Sequence, residues 1–277
     1  MTNSTPLEVA VTPRDLRFDV ADASKGYWLA GDPVGTAVFN ALSLTFPDGE
    51  RLFMDAVRLH RPYVSGKLAE DVKGFIAQEA IHSREHHSLN LLIDCHHYPV
   101  DEIERMVRGR TTFARERGPV AMLVSTICLE HFTAMMADLL MEDAELFAGA
   151  SPDIERMWRW HAMEETEHKA VAFDVFMAAT KDWDPVRRYM RRSIAMAIIT
   201  LLFTRNIALY ATLLLQADGY SRKAARRAAL RYLWRRPGIF RRGWRTYFAW
   251  YRPGFHPWDH DNRAELVAWQ AEFKQAA

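Results

Sequence analysis

The chain has 277 residues, 49% of them hydrophobic, with 36 Lys and Arg against 35 Asp and Glu. That supports a sizeable core, as one large domain or one domain with an appendage. The polar start, Met1 to Glu8, argues against a secretory signal, and two cysteines, Cys95 and Cys128, argue against a disulfide framework, so a reducing cytoplasm is the expected compartment. The near-zero net charge hides a split. Residues 1–185 carry 18 basic and 30 acidic side chains, residues 186–277 carry 18 and 5. Two functional regions are implied, the basic one facing something anionic.

Residues 1–45 are rich in turn formers and read as an irregular arm, with breaks at Pro6, Pro13 and Pro33. A first helix is predicted from Phe46-Pro47-Asp48-Gly49-Glu50 to about His60, before Pro62. A second covers about Gly66 to His97 and stops at Pro99, with Phe75, Ile76, Leu89, Leu92 and Ile93 at helical spacing. A short polar helix over about 100–115 leads to a third long one, from Gly118-Pro119 to about Asp143. The fourth opens at Ser151-Pro152, a cap followed by proline at the first helical position, and continues to about Ala179. No strand alternation is long enough to build a sheet. The fold expected is all-α: a four-helix bundle over 46–183 between the arm and a C-terminal helical region, 184–277.

Two Glu-x-x-His motifs lie on these helices, Glu79/His82 and Glu165/His168, and each is preceded by a lone Glu, Glu50 and Glu130. Helical residues three apart point the same way, so four helices can direct this set into one core, as ferritin-like carboxylate proteins do. Four ionised carboxylates match the charge of two divalent cations, whereas without cations their burial would be costly and they would take up protons. The oxygen- and nitrogen-rich donor set suits two iron ions, with manganese or zinc as alternatives. His161 shares the face of Glu165 and His168. At about 10 Å from His168 along an ideal helix, it reaches one cluster with it only through a local distortion such as a π-bulge. His86 continues the stripe of Glu79 and His82 as a ligand, an outer partner or a proton carrier. Glu164 competes with Glu165 for pairing with His168. Glu85, His87, His96, His97 and His131 are expected at the surface or behind the ligands, and Tyr63, Trp158 and Trp160 in packing roles.

The segments 46–50, 78–86 (QEAIHSREH) and 160–169 (WHAMEETEHK), together with 252–258 (RPGFHPW), resemble the bacterial family of predicted metal-dependent hydrolases. The likeness spans about residues 10–265. The His-x-x-x-Glu-x-x-His element of the fourth helix is also similar to that of p-aminobenzoate N-oxygenase-like di-iron enzymes, whose seven-ligand site activates dioxygen. Residue by residue, that second resemblance implies Glu50, Glu79, His82, Glu130, His161, Glu165 and His168 as metal ligands. It covers the bundle alone and implies nothing for His86 or the basic region.

Ile194 to Leu215 is a 22-residue apolar run broken by Arg205-Asn206. Its eleven Leu, Ile and Phe gain about 0.3–0.6 kcal/mol each on insertion against about 2.5–3.5 for the central Arg, with a further cost from Asn206, so spanning a bilayer comes out near balance. A fifth long helix lying over the bundle or dipping into the lipid surface is expected. Beyond it, arginines alternate with Trp, Tyr and Phe from Arg231 to Tyr251, which suits an anionic membrane interface at the inner face of the cytoplasmic membrane; nucleic acid is disfavoured because no recognised binding motif accompanies the charge. The functions expected are, in order, a di-iron oxidase or oxygenase using dioxygen on a small, lipophilic substrate, a hydrolase using water activated by two metals, and a non-catalytic metal-binding bundle. A homodimer fits any of them, and no motif specifies an electron donor.

Overall fold

The computed structural model describes residues 5–6 and 8–274. Among them the fold is all-α; the only β feature is an isolated bridge between Leu29 and Ala150. The helices are α1 (Pro33–Ser43), α2 (Phe46–Leu59), α3 (Gly66–Asn90), α4 (Val100–Glu116), α5 (Pro119–Glu142), α6 (Pro152–His168), α7 (Val171–Ala179), α8 (Pro185–Ala217), α9 (Arg222–Trp234), α10 (Ile239–Arg242), α11 (Trp244–Ala249) and α12 (Arg263–Lys274). Prolines in the first turn mark the starts of α1, α2, α5, α6 and α8, where a missing N–H costs nothing. Asp184 caps α8 by accepting from the N–H groups of Val186 and Arg187, and Ser221 caps α9 through Ala224 N–H.

Four helices surround the centre. α2 packs on α3 and α5 on α6, and α2–α5 and α3–α6 contacts close the ring. α7 continues the line of α6 against α3 and α5. α8 lies across α1 and α5, and α9 packs on α8 and α1. Two apolar cores result, the first drawing on the arm, the bundle and the C-terminal region, the second on the bundle and the C-terminal region with Val11 of the arm packed against it. Val9, Trp28, Phe39, Trp160, Leu214 and Phe273 share one; Leu52, Phe75, Ile127, Phe176, Met196 and Trp250 share the other.

Three sequence expectations need correction. The stretch 1–45 is not irregular throughout, because it contains α1, capped by Asp32 through Val34 N–H with Pro33 in the first turn. That is the same signature that marks α6 at Ser151-Pro152, masked by the turn-rich residues before it. The second helix stops at Asn90 rather than about His97, and residues 91–99 form turns up to Pro99. The fourth helix is two, since α6 ends at His168 and Lys169-Ala170 interrupt it before α7. At that break Lys169 is buried, donating to His260 O and Asn262 Oδ1 and lying over the Trp258 ring.

The arm lies along the bundle. A Cβ at Gly74, in the middle of α3, would stand 2.3 Å from the Val11 carbonyl oxygen, so only glycine lets the arm sit this close. Gly74→Ala gains about 1 kcal/mol of helix propensity, yet the steric conflict with backbone is expected to cost about 1–3 kcal/mol. Thermal denaturation should therefore show a lowered Tm. An unchanged or raised Tm would mean that the arm does not rest on α3.

Candidate metal centre

Glu50 comes from α2, Glu79, His82 and His86 from α3, Glu130 from α5, and His161, Glu165 and His168 from α6, and all eight are buried. Two donor clusters form: Glu50, His82 and His161 in one, Glu79, Glu165 and His168 in the other, each with its donor atoms within 4.8 Å of one another. Glu165 stands between them. Its Oε1 lies 2.9 Å from His161 Nε2 and 3.7 Å from His82 Nδ1, and its Oε2 lies 3.5 Å from His168 Nε2. Glu130 Oε2 is 3.6 Å and Glu79 Oε1 3.4 Å from the same His168 nitrogen. Glu50 Oε1 is 3.9 Å from His161 Nε2. Donors bound at about 2.0–2.2 Å to one cation stand roughly 3–4 Å apart, so these separations fit metal ions with little rearrangement.

The seven side chains implied by resemblance thus come together, and His86 stands behind them. The local distortion expected between His161 and His168 is absent, since α6 is α-helical from 152 to 168. The two histidines serve neighbouring clusters, so the rise between them spaces the clusters instead of obstructing them.

Hydrogen bonding gives an independent test of fit. Thirteen buried side-chain N and O atoms among the described residues have no hydrogen-bond partner, and nine of them are here: both oxygens of Glu50, Glu79 and Glu130, Glu165 Oε2, His82 Nδ1 and His168 Nε2. Buried polar atoms are otherwise nearly always satisfied, so this concentration is what a cation pair would relieve.

The outer partners leave the inward nitrogens bare. Ser43 Oγ donates to Asn90 Oδ1 at 2.6 Å, so at its 2.9 Å contact with His86 Nδ1 it must accept. His86 therefore carries its proton on Nδ1, and its Nε2 accepts from His161 Nδ1–H at 2.6 Å, so that His161 Nε2 is the nitrogen facing Glu165 Oε1, at 2.9 Å. His168 Nδ1 donates to Gln78 Oε1 at 2.9 Å, while the Gln78 amide nitrogen donates to Glu167 Oε2 and Thr12 O. His82 Nε2 lies 3.0 Å from Glu164 Oε2, which directs Nδ1 inward. Carboxylate or amide partners behind ligating imidazoles fix tautomer and ring orientation.

The next layer comes from the arm. Arg14 donates to Glu164 Oε1 at 3.0 Å and to Glu167 Oε1 at 2.6 Å, and Gln270 of α12 donates to Glu167 Oε1 at 2.7 Å. Glu85 receives Phe18 N–H and the Arg84 side chain, pinning the arm further on. His131 is buried against Thr246 O, and His87, His96, His97 and Tyr63 are exposed. Trp158 and Trp160 are buried against His161 and His82 as packing groups. The sequence pattern does not single out Arg14, Ser43, Gln78 or Glu167 for this outer layer, and it sets Glu164 only as a rival to Glu165. The acidic run Glu164-Glu165-x-Glu167 inside a helix rich in buried residues was the available signal.

Electrostatics follow from burial. Burial and then the charge of Glu165 push Glu50 well above the usual carboxylate range; burial and then Glu130 do the same to Glu79. Burial and then Glu165 raise Glu130 to about 8. For Glu165 the effect of burial is overcome by the His168 and His161 imidazoles, which hold it well below its ordinary value. His168 is raised to about 9, burial being outweighed chiefly by Glu165, whereas burial and then His161 keep His82 and His86 neutral. Without metal the cluster therefore stores protons where cations would sit.

An apolar cavity of about 30 Å³ touches this centre, lined by Phe39, Leu42, Phe46, Met136, Ala137 and Trp158, with Leu146 and Ile239 also on its wall. His161 and Glu165 are its only titratable lining groups, and Thr133 adds a hydroxyl. It has room for a water, and an organic substrate would have to displace side chains such as the flexible Met136.

An all-helical protein with two adjoining buried His/Glu triads is, by fold and site, a metal-dependent protein, and the paired triads are consistent with a dimetal site. The profile of the family described as Predicted metal-dependent hydrolase matches residues 12–261, and the chain belongs to that family. No curated protein and no solved structure matches it.

Metal binding must displace the stored protons, so affinity should rise with pH. Titration with Zn(II) or anaerobic Fe(II) is expected to tighten from pH 6 to above about 8, where Glu130 is ionised. The metal-free protein should show the opposite trend in stability. The folded form holds the Glu130 proton above the ordinary value of 4.5, so stability falls as pH rises from there toward about 8, and metal loading should abolish that loss. A pH-independent affinity would contradict this assignment. Behind the donors, Glu164→Gln is expected to weaken metal binding by about 10- to 100-fold with circular dichroism unchanged.

Proposed function

We propose that this chain is a dinuclear metal-dependent hydrolase acting on a small apolar substrate. The observation that carries the reading is the convergence of Glu50, Glu79, His82, Glu130, His161, Glu165 and His168, seven donors from four helices with most of their facing atoms unpartnered. Family membership favours hydrolysis over other uses of such a centre. Glu50, His82 and His161 would hold one ion and Glu79, Glu130 and His168 the other, with Glu165 standing between the two clusters. When bound, redox-inert divalent ions polarise the scissile group and sharpen a water nucleophile, whereas iron also activates dioxygen.

The chain's own residues supply position and exclusion of bulk water. Phe39, Phe46 and Trp158 wall the substrate side, which selects an apolar group next to His161 and Glu165. His86 holds the His161 Nδ1 proton in place and keeps its other nitrogen available. Thr133 is the one hydroxyl on the wall and is oriented by donating to the Glu130 carbonyl.

A specific observation favours a second reading, oxidation at a di-iron pair. The cavity wall offers no acid or base beyond the two donors themselves, which suits oxidation of an apolar compound better than protonation of a polar leaving group.

Metal substitution separates the two. Zn(II)-loaded protein is expected to cleave short apolar esters under argon, and Ala137→Leu, which fills the cavity, should lower that rate at least about tenfold with two metals retained. No cleavage with Zn(II), together with oxygen consumption by the Fe(II)-loaded protein, would replace hydrolysis by oxidation.

A further inference from the structure

α8 is two helices in its surroundings. Its second half, from Ile207 to Leu215, is buried against α1 and α9. Its first half presents Val186, Met190, Ile194, Ile198 and Leu201 at 46–68% exposure. Those positions fall within about 120° of arc over about 22 Å, an apolar stripe that Arg187 interrupts in its first turn. By length and composition both α5 and α8 could cross a membrane, but 67% of the apolar window of α5 is buried inside the protein against 39% for α8. α5 is thus a core helix, and α8 keeps an uncovered face.

α11 flanks the stripe. Tyr247 Oη lies 3.0 Å from Thr200 Oγ1, Tyr189 Oη donates to Tyr251 O at 2.9 Å, and Arg192 donates to the Trp250 and Arg252 carbonyls. This fastening leaves the rings of Trp244 and Phe248 exposed beside α8.

Charge completes the surface. From residue 186 to 258 the chain has sixteen Lys and Arg and a single carboxylate, Asp218, which is occupied by Tyr98 Oη and His97. α9 returns along α8 and turns outward Arg222, Arg226, Arg227, Arg231 and Arg235, with Leu230 and Trp234 exposed between them. None of these five arginines has an ion-pair partner among the described residues.

We propose that the α8–α11 face docks on an anionic lipid surface, with the α8 stripe, Trp244 and Phe248 entering the acyl boundary and the α9 arginines meeting the headgroups. Apolar residues and exposed aromatic rings bordered by uncompensated cations match both layers of such an interface. A water-soluble acidic partner would match the arginines and leave the stripe uncovered.

The test is co-sedimentation of the full chain with vesicles of phosphatidylcholine alone and of phosphatidylcholine with about one third phosphatidylglycerol. Binding is expected to the mixed vesicles and to weaken as salt is raised. Glu replacements at Arg226, Arg227, Arg231 and Arg235 together should lower partitioning at least about tenfold. Ile198→Ser with Leu201→Ser, both at exposed positions, should lower it at unchanged circular dichroism, so that loss of binding is not loss of fold. Equal binding to neutral vesicles, or none to either, overturns the proposal. So does a concentration-dependent dimer abolished by the serine pair in protein that ignores vesicles, which would make a second copy the occupant. Salt-sensitive binding to duplex DNA with no vesicle binding overturns it in favour of nucleic acid.

Discussion

Four carboxylates brought out of water within a few ångströms of one another are the constraint on which the rest of this structure depends. Each buried ion costs roughly several kcal/mol unless compensated, and among the described residues Glu50, Glu79 and Glu130 have no hydrogen-bond partner on either oxygen. The fold does not relieve that cost with lysine or arginine at the centre. It places three imidazoles there, each with a ring nitrogen directed at the acids, and holds cationic Arg14 one layer out on Glu164 and Glu167. An arrangement that leaves most of its inner acid oxygens without hydrogen bonds while satisfying the layer behind them is suited to positive charge from elsewhere.

That layered order also explains the packing around it. Phe75 lies edge-on to His168, Trp160 to His82 and Phe46 to His86, so aromatic rings restrain the imidazoles on sides where a polar group would compete for the inward lone pairs. The break after His168 ends α6 directly below the last donor, and the buried Lys169 side chain turns away to the 258–262 segment. The cation that directly follows His168 is thereby kept away from the acids.

Much of this was legible before any coordinates. The i,i+3 pairs Glu79/His82 and Glu165/His168 reveal themselves by spacing, because a helix converts that spacing into a shared direction. Pro47, Pro119 and Pro152 mark helix starts as clearly in the sequence as in the fold. What escaped has two physical causes. Arg14 meets Glu164 and Glu167 across about 150 positions of chain, and such contacts exist only after packing. The end of α3 at Asn90 escaped because Leu92 and Ile93 continue the helical periodicity through a turn, and α1 escaped because its cap is set among turn formers. For α8, hydropathy reports the amount of apolar surface and not which half of it the protein covers.

Glu167 is gripped by residues from opposite ends of the polypeptide, Arg14 and Thr12 near the start and Gln270 in the last helix. Through Gln78 the same carboxylate steadies His168. During synthesis, the scaffold behind that imidazole stays open until α12 has left the ribosome. Completion of the centre is thus tied to α12, and a bundle without that helix lacks one of the contacts behind its most charged histidine.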